Sequence, residues 1–166
     1  MNIVNKSPSR KSTRLKQYDY STAGEYFITI CVQDGRCCLG GVSDDIFVPS
    51  KVGLIVGLIW DETFNVFRDV TQTGPIVIMP NHIHACVELL ADGGISLGKI
   101  VRYFKALSVR QVRIQADSVF AWQRNYYDHV IRNEKDRHRV YEYIENNPLQ
   151  WALDAENPEV VACRAP

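Results

Sequence analysis

The stretch Thr73–Leu90, TGPIVIMPNHIHACVELL, governs the reading of the whole chain. Its two apolar, β-branched parts, Thr73–Met79 and His82–Leu90, have the length of strands, and the dipeptide Pro80-Asn81 between them is a turn signal. A β-hairpin is expected. Side chains of a strand alternate between its faces. His82, His84, Cys86 and Glu88 therefore share one face, while Ile83, Ala85, Val87 and Leu89 share the other and read as core. Two imidazoles one residue apart on a strand can hold one metal ion. They can also be two polar groups on a solvated sheet face, which is the commoner meaning of such a spacing. A zinc site from His82, His84 and Cys86 is imaginable, but three successive same-face residues of one strand diverge too far to close around one ion.

Working outward, Tyr26–Gln33 (YFITICVQ) reads as a further strand that ends at Asp34-Gly35. Cys37–Pro49 is irregular, with a short edge strand at Ile46–Val48. Ser50 is placed to cap a largely buried helix over Lys51–Phe64, in which Gly53 and Gly57 leave a flat stripe for a sheet to approach. After Asp92-Gly93-Gly94, Ser96 is placed to cap a second helix that runs to Gln115. Tyr126–Ile131 reads as a fourth strand and Glu134–Asn147 as a last helix, stopped by Pro148. The order β-α-β-β-α-β-α contains the split βαβ, ferredoxin-like arrangement, an α+β fold with an antiparallel sheet and two helices on one face. Residues 1–16 read as a basic arm, 17–153 as the domain and 154–166 as a weakly patterned tail.

The chain has 166 residues, 46% hydrophobic and 23% charged, the balance of an ordinary globular domain. That excludes a chain disordered throughout, a collagen-like repeat and a solenoid. Nineteen Lys and Arg balance nineteen Asp and Glu, yet the charges are segregated. Residues 1–16 carry Lys6, Arg10, Lys11, Arg14 and Lys16, and Gly98–Ala116 carries Lys99, Arg102, Lys105, Arg110 and Arg113, neither with an acid. Such islands suit a phosphate backbone, or are simply solvated faces. Five cysteines without a CxxC pair suggest a reduced compartment, and Val52–Trp60, the longest apolar run, is too short to cross a bilayer. A cytoplasmic protein with no membrane partner is expected.

Two further clusters carry chemistry. In Arg139–Pro148 (RVYEYIENNP) a helical period places Val140, Tyr141 and Ile144 on one apolar stripe. Tyr143 falls outside it, one turn from Asn147. In Trp122–His129 (WQRNYYDH) aromatics alternate with Arg124 and amides, a mixture able to stack bases and hold phosphate.

Together the segments RLKQYDYSTAGEYFITIC, VIMPNHIHACVEL, FAWQRNYYDHVIRNEKDR and VYEYIENNPLQW resemble the REP-associated tyrosine transposases. These belong to the single-tyrosine HUH transposases, the insertion-sequence type that acts on single-stranded DNA. The resemblance spans Arg14 to Trp151. It implies a ferredoxin-like palm, a divalent metal (Mg²⁺ or Mn²⁺) held by His82 and His84, and Tyr143 as nucleophile on the C-terminal helix. The third ligand falls to Asn147, with Asn146 or a water as alternatives, because the insertion-sequence branch carries Gln four residues after its tyrosine. It further implies cleavage near palindromic hairpins through a 5′-phosphotyrosine, by a monomer or homodimer associated with the nucleoid and needing no small-molecule cofactor. Arg14, Lys16, Lys99, Arg102, Lys105, Arg110, Arg113 and Arg124 are the expected DNA contacts. The competing readings are a nucleic-acid-binding module of the same fold without catalysis, and a zinc-binding structural domain.

Overall fold

The computed structural model describes residues 18–154, 157 and 158. The expected basic arm, with Arg14 and Lys16, lies outside the described residues. Within them the chain order is β1 (Gly24–Cys31), β2 (Gly40–Ser43), β3 (Ile46–Pro49), α1 (Lys51–Val66), β4 (Thr71–Ile78), β5 (His82–Leu89), α2 (Leu97–Gln115), β6 (Tyr127–Ile131) and α3 (Glu134–Asn146). A 3₁₀ turn follows over Pro148–Leu153.

Four strands form one antiparallel sheet in the order β4-β5-β1-β6. This is the expected split βαβ: β5 returns beside β1 although α1 and β4 lie between them in sequence. Alternation decides the two faces. Tyr26, Ile28 and Ile30 of β1 and Ile83, Ala85, Val87 and Leu89 of β5 form one apolar core with α1 and α2, which contribute Ile59, Trp60, Ile100 and Phe104 among others. The opposite face receives α3, where Val140 and Ile144 pack on Cys86 and Ile131, with Phe27, Val77 and Tyr141 around them. The helix after the palm thus covers the histidine face, and neither histidine is solvated: His82 is 0% and His84 4% exposed.

Three local expectations change. The irregular stretch before α1 contains a separate hairpin of β2 and β3, closed by Asp44-Asp45 with φ of 51° and 62°. Two successive positive-φ residues make the primed turn that suits a two-residue hairpin loop, and aspartate tolerates that conformation. Gly53 does not face the sheet; a Cβ there would lie 2.0 Å from the Leu39 carbonyl oxygen, so it is the loop before β2 that comes close. Ser50 caps α1 by accepting from the Gly53 amide, whereas Ser96 sits at the start of α2 without such a bond.

Candidate metal and tyrosine site

β5 begins immediately after the Pro80-Asn81 turn, so His82 and His84 stand at one end of the sheet and point toward α3. Their Nε2 atoms are 3.0 Å apart. Neighbours fix both rings. The Asn81 amide nitrogen donates to the Gly35 carbonyl at 3.2 Å, which turns its oxygen toward His82 Nδ1 at 2.9 Å. His82 therefore carries its proton on Nδ1 and presents a lone pair at Nε2. His84 Nδ1 lies 2.8 Å from the Thr29 hydroxyl, a group able to donate or accept. If Thr29 donates, His84 Nε2–H meets the His82 lone pair. If Thr29 accepts, two lone pairs converge, which is an arrangement for a cation. Burial lowers the His82 pKa to about 4 against an opposing pull from Asp154, and lowers that of His84 to about 2 with help from His82. Both rings are neutral near pH 7, the form that ligates metal.

The third group is one that sequence reasoning missed. Asp154, assigned to the tail, lies with a carboxylate oxygen 4.0 Å from His82 Nε2. Potential ligand atoms of His82, His84 and Asp154 all fall within 4.8 Å of one another, a geometry that can hold a divalent metal ion. Pro148 prevents α3 from continuing, and the 3₁₀ turn that it opens carries the chain back across the site. Trp151 of that turn lies 6.1 Å, ring to ring, from His82. Cys86 is not in this group. It lies in the packing beneath α3, its thiol pushed up to about 12 chiefly by burial, so the expected divergence along the strand holds.

Asn147 is also present, buried to 1% exposure. Its amide nitrogen donates to Asp154 at 3.4 Å, and its buried oxygen has no hydrogen-bond partner among the described residues. A buried carbonyl oxygen without a donor is unfavourable unless a cation or water meets it. The donor set and this oxygen therefore both fit a hard or borderline dication. Asn146 is elsewhere: exposed, it donates to the Glu142 carbonyl at 2.9 Å.

Tyr143 completes the site. Its hydroxyl is 3.2 Å from His84 Nε2, and its ring meets Phe27, which itself stacks on His84. The residue remains 40% exposed. A cleft of about 340 Å³ is lined by Thr29, His84, Tyr143, Asn147 and Asp154, with Tyr127 and Gln150 also on its wall. The other candidate tyrosines are placed differently. Tyr141 donates its hydroxyl to Glu25 at 2.7 Å and has a raised pKa from burial and that carboxylate. Tyr126 belongs to the core on the other face.

The basic residues of α2 stand on the face of the sheet away from this cleft. Lys99, Arg102 and Arg110 are exposed. Arg113 Nε donates to the Phe120 carbonyl at 2.8 Å, and the Lys105 ammonium donates to the Gln123 and Asn125 carbonyls at 2.7 and 2.8 Å. Lys105 thus braces the segment that bears Arg124, which is itself exposed.

The comparisons with known proteins bear on the family and the fold. Residues 69–147 match the family described as Transposase IS200 like. A protein of Haemophilus influenzae, itself uncharacterised, is 36% identical over 165 residues, covering 87% of this chain and 91% of its own. Among solved structures, a REP-associated tyrosine transposase bound to a REP hairpin has the same fold, with a TM-score of 0.61 at 21% identity over 82% of this chain and 73% of the other. So does a candidate transposase of Deinococcus radiodurans R1, with a TM-score of 0.53 at 16% identity over 80% and 95%. The match of residues 69–147 and the shared fold support a transposase-like function. Residues 69–147 thus resemble the IS200-like transposase family, and the fold around them is the one seen in the solved transposases.

Proposed function

We propose that this protein is a metal-dependent endonuclease and strand-transferase for single-stranded DNA, cutting beside palindromic hairpins with Tyr143 as its nucleophile. The observation that carries the reading is the Tyr143 hydroxyl, 3.2 Å from His84 Nε2 in an open cleft beside the His82–His84–Asp154 cluster. His82, His84 and Asp154 would hold the ion, with the Asn147 oxygen as a further ligand or the anchor of a bound water. Two imidazoles and one carboxylate accept Mn²⁺ as well as Mg²⁺. When bound, the ion supplies a Lewis acid beside the phosphate and a positive charge that favours the Tyr143 phenolate.

The remaining chemistry is the chain's own. The Tyr143 oxygen attacks phosphorus, forming the P–O(Tyr) bond as the P–O3′ bond breaks. The phenol proton leaves to solvent, and the 3′ oxygen departs as a hydroxyl. The 5′-phosphotyrosine keeps the phosphodiester energy, so a second 3′-OH can reverse the step and join strands. Phe27 holds the ring planes of His84 and Tyr143 in fixed relation, while Thr29 and Asn81 hold the imidazoles.

A hairpin substrate is supported by the REP hairpin bound to the transposase of the same fold. Lys99, Arg102, Arg110 and Arg124 are the exposed cations that we assign to phosphates of the hairpin and its unpaired flanks, together with Arg14 and Lys16 of the arm. Incubation with a hairpin oligonucleotide and Mn²⁺, followed by a denaturing gel and peptide mass spectrometry, tests the reading. A nucleotide on Tyr143 is expected; an uncut strand with metal present, or a nucleotide on another tyrosine, overturns it.

A further inference from the structure

A second concavity, on the α2 side of the sheet, is not used by the site above. A groove of about 500 Å³ lies between α2 and the segment 121–126. Its volume is in the range that accommodates a small organic ligand. Val101, Ala106, Trp122 and Tyr126 give it apolar and aromatic walls. Arg102, Lys105 and Arg124 are its charged residues, and among the described residues no acid lines it.

The walls are fixed before any ligand arrives. The Trp122 indole nitrogen donates to the Ser108 hydroxyl at 2.8 Å, and Ser108 is itself anchored to the Phe104 carbonyl. The Lys105 ammonium ties down the Gln123 and Asn125 carbonyls and sits 6.0 Å from the centre of the Tyr126 ring. Arg102 and Arg124 are different. Both are exposed, and neither makes an ion pair or side-chain hydrogen bond with another described residue. An apolar slot with pinned aromatics and two unengaged guanidiniums matches a planar base joined to phosphate.

The connection to the cleft is short. β6 is an edge strand, and Tyr126 and Tyr127 are consecutive at its start. Tyr127 lines the tyrosine cleft and Tyr126 lines the groove. A strand leaving the cleft around this edge therefore passes directly into the groove.

We infer that the groove between α2 and segment 121–126 is a subsite for one unpaired nucleotide of the DNA, its base in the slot and its phosphates on Arg102 and Arg124. This inference rests on the DNA-processing reading above and adds a second contact distant from the chemistry. Occupying it lengthens the grip on the unpaired flank without touching Tyr143.

The test uses the full chain and a fluorescein-labelled hairpin oligonucleotide with unpaired flanks, in EDTA so that no cleavage intervenes. Each unpaired nucleotide is replaced in turn by an abasic one. With wild type, one flank position should weaken binding about tenfold, the scale of one base–aromatic contact. Ala106→Trp fills the slot from an exposed helix position and should weaken binding of the intact strand by a similar factor, with no further loss from that abasic site. Arg102→Gln should lessen the salt dependence of binding while the abasic effect persists. Covalent capture with Mn²⁺ at saturating DNA should be unchanged in Ala106→Trp. Additive losses from Ala106→Trp and every abasic site, or unaltered binding by Ala106→Trp, would overturn the subsite while leaving the tyrosine reading intact. A wild-type protein that binds no DNA at all overturns the functional reading, and the subsite with it.

Discussion

The two faces of β1 and β5 are both dry, yet they are built differently. On the α1/α2 side every inward residue of these strands is apolar, from Tyr26, Ile28 and Ile30 to Ile83, Ala85, Val87 and Leu89. On the α3 side the same strands bury Glu25, Thr29, His82 and His84. A buried polar group is costly unless it is paired. The pairs are present: Thr29 with His84, Asn81 with His82, and Glu25 with both Tyr141 and Arg137, the last two at 2.7 Å each. Exclusion of water serves cohesion on the first face. On the second it keeps imidazoles neutral and holds α3, and hence Tyr143, against them. One strand period of two is enough to separate the tasks.

The contrast predicts that chemistry and stability are separable by mutation. The largest effect should come from Tyr143→Phe or His84→Ala, which should abolish the covalent DNA adduct on a denaturing gel. EDTA should do the same to wild type, and Mn²⁺ should restore it. Thermal melts should show Tyr143→Phe close to wild type, because only one oxygen of a 40%-exposed residue is removed. Next, Phe104→Ala in the apolar core should cost about 3–5 kcal/mol by urea unfolding, the usual range for a fully buried ring. If Tyr143→Phe destabilises as much as Phe104→Ala, the division of labour between the faces is wrong.

A smaller loss is expected where the faces meet in type. Glu25→Gln keeps the shape but removes the charge that Tyr141 and Arg137 share, and should cost about 1–3 kcal/mol. It should also lower the Tyr141 phenol pKa in a spectroscopic titration, because the carboxylate beside that hydroxyl disfavours the phenolate. The smallest effect concerns Lys105. Burial lowers its pKa from 10.5 to about 8. Between those values the unfolded chain binds the proton more readily, so this residue makes stability rise with pH over that window. Lys105→Met should flatten that part of the pH–stability curve. A slope unchanged by the substitution would show that another group produces it.

Much of this was legible in the sequence, for a physical reason. Strand alternation sorted His82 and His84 from Ile83 and Ala85, and the helical period separated Tyr143 from the stripe of Val140 and Ile144, because both patterns depend on local geometry alone. The order of elements then gave the palm. Asp154 was not legible. It follows a proline-started 3₁₀ turn with no periodic pattern, and its position near His82 depends on where that turn lands. The burial of Glu25 was likewise hidden, since its partners lie on a helix far along the chain. For the same reason Lys105 read as a phosphate contact, although its ammonium is held by two carbonyls that only the folded loop supplies.

The 3₁₀ turn has a consequence in time as well as in space. Translation proceeds from the amino end, and folding units form as they emerge. When the ribosome has delivered the chain as far as Ile131, every strand of the palm exists, together with both histidines. Tyr143 and Asp154 have not yet been made. A product terminated at that length carries the scaffold of a transposase-like enzyme without the tyrosine that we propose as its nucleophile.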